Sequence, residues 1–337
     1  MAKNFHITGM GMALPKRIVD NHELAKTLDT TDEWIVSHTG IRSRHICGPD
    51  ETTGSLAAQA ARLALENAGL KAEDIGTIVV ATSTPDFCGF PSTACLVQRD
   101  IGAVNASAMD IRAACTGFIY AMDVARGLMH LDPRPALVVA GDAMSRIVDW
   151  TDRNTCVLFG DGAGAAVLQV SDHPGGIAHS ILRADGHGAA SLYREDGSRH
   201  EQPGAQGTWA PPYLRMNGRQ VFNFAVKAFE EIIRDLCAKA SVSMEDVKWI
   251  VPHQANVRIL EATARRLEIP VDRFFVNIEN LANTSGATIP LALHQLLQEG
   301  KVKNGDKIMM VGFGAGLTWG GILVDWNPPT SVVAARA

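Results

Sequence analysis

The chain alternates short, wholly apolar runs with longer stretches in which apolar residues recur at helical spacing. Apolar runs of four to eight residues bounded by Gly, Pro or Asp read as buried strands, and the 3.6-residue period reads as a helix with one buried face. On this basis residues 5–11 form a strand, Leu14-Pro15 a turn, and 21–41 a polar, partly helical stretch. Ser55 is placed to cap a helix that buries Leu56, Ala60, Leu63 and Ala64 and closes at Gly69. Residues 75–82 then read as a buried strand.

From there one pattern occurs twice. The first pass runs strand (78–81), helix (92–101), strand (106–111), Cys115, helix, strand (136–140) and strand (164–170). The second runs strand (249–252), helix (255–267), strand (274–278), Asn283, helix (289–298), strand (307–311) and strand (320–325). The offsets agree: 35 residues from Val80 to Cys115 against 33 from Ile250 to Asn283, and 21 from Cys115 to Ala136 against 24 from Asn283 to Lys307. Strands alternating with helices make an α/β fold. The repeat divides the chain into halves 1–171 and 172–337, related by a pseudo-twofold that sets the helix starts at Cys115 and Asn283 face to face. The stretch 172–215, rich in Gly, Pro, His and Ser, reads as a connecting segment at the mouth of a site. The tail beyond Trp326 reads as loose.

Composition narrows the function classes. Hydrophobic residues make up 46 % and charged residues 20 % of the 337, the balance of a soluble globular protein. A formal net charge of −5 argues against general nucleic-acid binding. No run approaches the ~20 apolar residues that cross a bilayer, and the N-terminus lacks the apolar region of a secretory signal. The expectation is a cytoplasmic protein without membrane attachment. Cys47, Cys88, Cys95, Cys115, Cys156 and Cys237 form no C-x-x-C pair and are not grouped with histidines at zinc spacing, so they read as reduced thiols, with no metal site.

One cysteine stands apart. Cys115 follows a strand and a turn of small residues and occupies the first turn of a helix, where unpaired N–H groups and aligned peptide dipoles favour an anion. A thiol there is expected to have a lowered pKa, and the same N–H groups can hold an oxyanion on an attached acyl group. His253 stands at a strand end opening into a helix, where α/β sheets place ligands. Asn283 lies in Leu281-Ala-Asn-Thr-Ser-Gly-Ala-Thr288, a context equally suited to a helix cap. Gly312-Phe-Gly-Ala-Gly-Leu-Thr-Trp-Gly320 lets backbone N–H groups approach a ligand and offers a second oxyanion donor. Phe159-Gly-Asp-Gly-Ala-Gly is not a dinucleotide loop, because its glycines precede a strand instead of following one, and close packing is their reading. Arg258, Arg265 and Arg266 share one face of a helix, either a solvated surface or a docking patch for an acidic partner.

With Cys115, His253 and Asn283 in this order, the chain resembles the β-ketoacyl-acyl-carrier-protein synthase III family of thiolase-fold condensing enzymes. The resemblance runs from Ile7 to Trp326. It is carried by Asp29-Thr-Thr-Asp-Glu-Trp-Ile-Val36, Thr39-Gly-Ile-Arg42, Ala113-Ala-Cys-Thr-Gly-Phe118, Phe159-Gly-Asp-Gly-Ala-Gly-Ala165, Val251-Pro-His-Gln-Ala-Asn256, Asn283-Thr-Ser and Phe313-Gly-Ala-Gly-Leu-Thr-Trp-Gly320. It implies a layered αβαβα thiolase fold and a decarboxylating Claisen condensation that initiates fatty-acid synthesis. Cys115 would take an acyl group from acyl-CoA, and His253 and Asn283 would bind the thioester oxygen of malonyl-acyl-carrier protein. The N–H groups of Cys115 and Ala315 would form the oxyanion hole.

The family pattern also implies CoA contacts at Trp34, Arg153, Gly218, Phe222 and Asn256. Carrier-protein docking would fall at Arg258, extended by Arg265 and Arg266. A homodimer is implied in which Phe90 enters the neighbouring subunit's tunnel, and no cofactor is implied, since acyl-CoA and the malonyl carrier protein are substrates. Four departures bear on acyl and acceptor specificity: His38 for an arginine, Asn223 for a lysine, Ala282 for a glycine, and Arg112 at a position commonly small. The same residues also admit a specialised condensing or acyl-transfer enzyme of secondary metabolism, a thioester hydrolase using Cys115 and His253, or a non-catalytic relative.

Overall fold

Two sheets frame the molecule. In the computed structural model, which describes residues 4–194 and 213–329, the first sheet orders five strands as Asn4–Ala13, Asp161–Ser171, Ala136–Ala143, Thr77–Ala81 and Ser107–Ile111. The second orders four as Val247–Pro252, Lys307–Gly314, Thr318–Asp325 and Gly176–Ala184. The pairing senses repeat. Thr77–Ala81 runs parallel to Ala136–Ala143, as Val247–Pro252 does to Lys307–Gly314, and the next two pairings in each sheet are antiparallel. Thr77–Ala81 and Ala136–Ala143 are buried at every position. Coverage on both faces is why they read as unbroken apolar runs.

Helices fill three layers. Gly117–Met129 and Thr288–Gln298 lie between the sheets, where Phe118, Met122, Ile289 and Leu293 join Val79 and Val138 of one sheet to Val251 and Met310 of the other. Thr53–Ala68 and Thr93–Ile101 cover the outer face of the first sheet. Gly218–Ala240 and Val257–Leu267 cover that of the second. The result is the αβαβα thiolase-like arrangement.

Several local expectations change. Ser55 does not cap its helix. Thr52 does, its side chain accepting from Ser55 N at 3.1 Å while Ser55 Oγ accepts from Thr52 N at 2.8 Å, which closes a capping box. The strand before Cys115 is not buried; Ser107–Ile111 is the edge of its sheet and is half covered. Residues 274–278 form no strand at all. Phe274 makes a single bridge to Ile250, after which the Gln254 carboxamide takes over the ladder, donating to Phe275 O at 3.1 Å and accepting from Asn277 N at 2.9 Å. A side chain thus satisfies backbone groups that a fifth strand would otherwise pair.

The stretch 172–215 is more than a connector, because Gly176–Ala184 is a full member of the second sheet. The 3-10 segment Gly186–Ser191 and the short strand Leu192–Arg194 follow, and residues 195–212 lie outside the described part of the chain. The glycines of the 159–165 motif pack as expected: a Cβ on Gly164 would stand 2.7 Å from Pro290 Cβ.

Candidate active site

Cys115 sits in a 3-10 turn, Ala114–Thr116, between the edge strand and helix Gly117–Met129. Ala114 enters the turn at φ 46°, a left-handed conformation that costs a residue with a side chain. The strain aims Cys115 into the interior, where it is 7 % exposed and its Sγ donates to Ser285 Oγ at 3.7 Å. Burial pushes the thiol up to about 12; the Ser285 hydrogen bond opposes the rise, and the Asp142 charge adds to it. This corrects the expectation of a lowered value: loss of water outweighs what the helix end returns.

His253 follows Val247–Pro252 and is fixed by its own N–H donating to Val311 O at 2.7 Å. Its ring is buried, with Nδ1 2.7 Å from Thr288 Oγ1 and no hydrogen-bond partner at Nε2. Desolvation lowers its pKa to about 3, so the imidazole is neutral at ordinary pH. Thr288 Oγ1 also lies 3.1 Å from Ser285 O. When the Thr288 hydroxyl proton turns to Nδ1, the ring carries N–H at Nε2; when it turns to Ser285 O, Nε2 is bare.

Asn283 is locked by its backbone: its N–H donates to Leu158 O at 2.9 Å and its carbonyl accepts from Gly160 N at 3.1 Å. Its Oδ1 accepts from Ser285 N at 2.8 Å, an Asx turn that leads into Ser285–Ala287. That leaves Nδ2 as the donor toward the cavity.

Cys115, His253, Asn283 and Ala315 line one cavity of about 430 Å³. Trp34, Arg153, Gly218, Phe222 and Asn256 line the same space. Ala315 reaches Cys115 because Gly314 has no side chain; a Cβ there would stand 2.8 Å from Cys115 N. Asn256 spends its carboxamide as a helix cap, accepting from Arg258 N and donating to His38 O at 2.9 Å. Trp34 stacks on His38 with ring centroids 4.4 Å apart, and the Arg153 guanidinium lies over the indole at 5.1 Å. His38, the departure from arginine, is thus part of the cavity wall.

Four predicted residues, Phe90, Arg258, Arg265 and Arg266, stand outside that cavity. Phe90 is 92 % exposed. Arg265 and Arg266 line a separate shallow groove between the two outer helices, together with Phe222, Asn223, Val226, Lys227 and Ala262. Arg266 pairs there with Glu230 at 2.6 Å. Arg258 is turned aside from the groove, donating to Ser37 O at 2.7 Å through Nη2. Lys227, one helical turn after Asn223, returns to the groove the charge that Asn223 lacks, and the four-residue spacing on an amphipathic helix was the available signal. Ser285, Thr288 and Asp142 were also missed. A lone aspartate closing the apolar run 136–141 was the clue to the last.

Known proteins resemble the chain over nearly its whole length. Residues 109–186 match the family model "3-Oxoacyl-[acyl-carrier-protein (ACP)] synthase III", and 237–326 match its C-terminal counterpart. A β-ketoacyl-[acyl-carrier-protein] synthase III of Roseiflexus castenholzii is 44 % identical over 335 residues, covering 97 % of this chain and 99 % of the relative. The chain belongs to the 3-oxoacyl-[acyl-carrier-protein] synthase III family. Members of this synthase III family are condensing acyltransferases. The crystal structure of the synthase III from Aquifex aeolicus VF5 superposes with a TM-score of 0.89 at 44 % identity, covering 96 % of this chain and 100 % of that one. The priming β-ketosynthase of the R1128 polyketide pathway superposes with a TM-score of 0.88 at 37 % identity, covering 97 % of each chain.

Proposed function

We propose that this synthase III condenses an acyl-CoA primer with malonyl-acyl-carrier protein through a thioester on Cys115, initiating fatty-acid synthesis. The observation that carries the reading is the convergence of the Cys115 thiol, the partnerless His253 Nε2 and the Asn283 amide on one cavity. Attack of Sγ on the primer carbonyl builds an oxyanion beside the N–H groups of Cys115 and Ala315, and its collapse expels CoA. The malonyl substrate then loses CO₂. Negative charge develops on its thioester oxygen, where Asn283 Nδ2 and the Nε2–H tautomer of His253 donate. A neutral imidazole suits this task, because it gives a hydrogen bond without surrendering a proton. The enolate carbon attacks the acyl-Cys115 carbonyl, and the β-ketoacyl product leaves on the carrier protein. No metal or redox group enters these steps.

CoA would lie along the cavity, with its adenine at Trp34 and Arg153 and its pantetheine arm past Phe222, Gly218 and Asn256. The groove bearing Lys227, Arg265 and Arg266 fits an acidic carrier protein, with apolar Phe222 and Val226 at its base. Arg258, bonded to Ser37, would act there chiefly by fixing the rim. A homodimer is supported by the exposed Phe87 and Phe90 and by the unpaired edge of Ser107–Ile111, features that a second subunit would cover. Among the described residues no helix is long and apolar enough to cross a membrane, and we place the enzyme in the cytoplasm.

Likeness to a polyketide priming enzyme keeps a second reading: the same chemistry with a specialised primer or acceptor. Intact-protein mass spectrometry with a panel of acyl-CoAs, with and without malonyl-acyl-carrier protein, separates the two. The proposal expects an adduct on Cys115 that is absent from Cys115→Ala and is discharged by the malonyl substrate as β-ketoacyl product. Discharge only by another acceptor would favour the second reading, and no adduct from any acyl-CoA would overturn both.

A further inference from the structure

We infer that Ser285 and Asp142 form the proton path of Cys115, the thiol proton passing to the Ser285 hydroxyl and the Ser285 proton passing on to the Asp142 carboxylate. The inference rests on the reading of Cys115 as acyl acceptor. Cys115 Sγ donates to Ser285 Oγ at 3.7 Å, and the Ser285 side chain lies near enough to Asp142 to favour its ionised form. Asp142 closes strand Ala136–Ala143 and is 1 % exposed.

The two oxygens of Asp142 differ. Oδ1 accepts from Thr82 Oγ1, Ser83 N, Thr84 N and Thr84 Oγ1 at 2.7 to 3.1 Å, an anchor that fixes the carboxylate. Oδ2 faces the turn Ser285–Ala287, where its backbone donor is Gly286 N, distant at 3.4 Å. The less anchored end of a buried carboxylate therefore lies at the turn whose first residue, Ser285, touches the thiol.

A dry pocket resists holding two anions side by side. Ionising the thiol into water would create a second charge beside Asp142, whose field already opposes it. Passing the proton to Asp142 moves one negative charge from oxygen to sulfur and creates none. As the Sγ–C bond forms at the primer carbonyl, the S–H proton goes to Ser285 Oγ and the hydroxyl proton to Asp142 Oδ2. The tetrahedral oxyanion collapses, the bond to the CoA sulfur breaks, and the CoA thiolate takes its proton from water. Asp142 stays protonated while the acyl group is on sulfur. When condensation expels Cys115 as a thiolate, both protons run back and restore the thiol and the carboxylate.

Infrared difference spectroscopy of the enzyme before and after acylation, using acetyl-CoA or whichever panel member labels Cys115, reads the proton directly. A carboxylic-acid C=O band should rise with the acyl-enzyme, vanish in Asp142→Asn, and shift in Asp142→Glu should the Asn variant not fold. Ser285→Ala should slow the burst of CoA release by about 10²-fold, the scale of a single proton-transfer contact, with unchanged Tm. Acyl-enzyme that forms without the band, or a Ser285→Ala burst at the wild-type rate, overturns the path and leaves the proposed function standing. If no acyl-CoA labels Cys115, the function fails instead. Iodoacetamide alkylation at fixed pH then decides the path: slower labelling of Ser285→Ala upholds it, and an unchanged rate overturns it.

Discussion

The turns Ala114–Thr116 and Ser285–Ala287 occupy matching places in the two halves, yet they carry different chemistry. Each opens with a left-handed residue, Ala114 at φ 46° and Ser285 at φ 55°, and each runs into a helix of the central layer. Matching the turns sets Cys115 opposite Gly286, so the equivalence with Asn283 expected from the repeat is displaced. The first turn carries its reactive group at the centre. The second keeps its centre bare, since a Cβ on Gly286 would stand 3.2 Å from Ala114 O, and mounts Asn283 and Ser285 on its shoulder. A duplicated frame thus supplies two aligned helix starts, and the missing side chain on one makes room for the backbone of the turn that carries Cys115 on the other.

The sharpest way to break this division of labour is to remove one side at a time. Asn283→Ala should leave acyl-Cys115 formation intact and slow condensation by about 10²–10³-fold, the usual loss for one oxyanion donor, as read by separate burst and steady-state assays. Equal losses in both half-reactions would deny that the Asn283 amide serves the malonyl step alone. Gly314→Ala should strike the first side, because the clash is with backbone at Cys115 N; about 1–3 kcal/mol of stability and much of the acylation burst should go, measured by denaturant unfolding and stopped flow.

Acid tests the His253 side. The folded chain holds His253 neutral down to about 3, whereas the unfolded chain takes a proton near 6.5. Stability from this source is whole above about 6.5 and drains as pH falls toward about 3. Thermal unfolding of wild type should therefore be more acid-sensitive than that of His253→Asn, and parallel curves would refute the assignment. The smallest effect is expected at Ala282, which sits at φ 56° and ψ −163°, a region that glycine alone occupies without strain. Ala282→Gly should raise stability by about 1 kcal/mol after the extra chain entropy of glycine is subtracted, with little change in rate.

What could be read from residues alone was the frame and the three side chains that the fold brings to one cavity. The buried strands announced themselves as unbroken apolar runs, and Cys115, His253 and Asn283 sat beside glycine- and small-residue motifs that few other arrangements share. What could not be read depended on surroundings. The thiol pKa turned on how thoroughly Cys115 is enclosed, which its neighbours in sequence do not reveal. Residues 274–278 look like a strand by composition, and only the Gln254 carboxamide, twenty residues earlier in the chain, takes their hydrogen bonds away. Asp142 and Lys227 are ordinary charged residues until the fold puts one beneath Ser285 and the other on the rim of a groove.

Trp34 is already occupied, with His38 stacked against it and Arg153 resting over it, the latter also bonded to Asp29 O. On the proposed CoA reading, a flat base stacked here lifts Arg153 from the indole, so part of what the new stack gains is returned in what the old one gives up. The net hold on the nucleotide end is correspondingly light. In the proposed sequence of steps spent CoA leaves before the second substrate enters, and a nucleotide end held by a clamp that can close on itself suits that exchange.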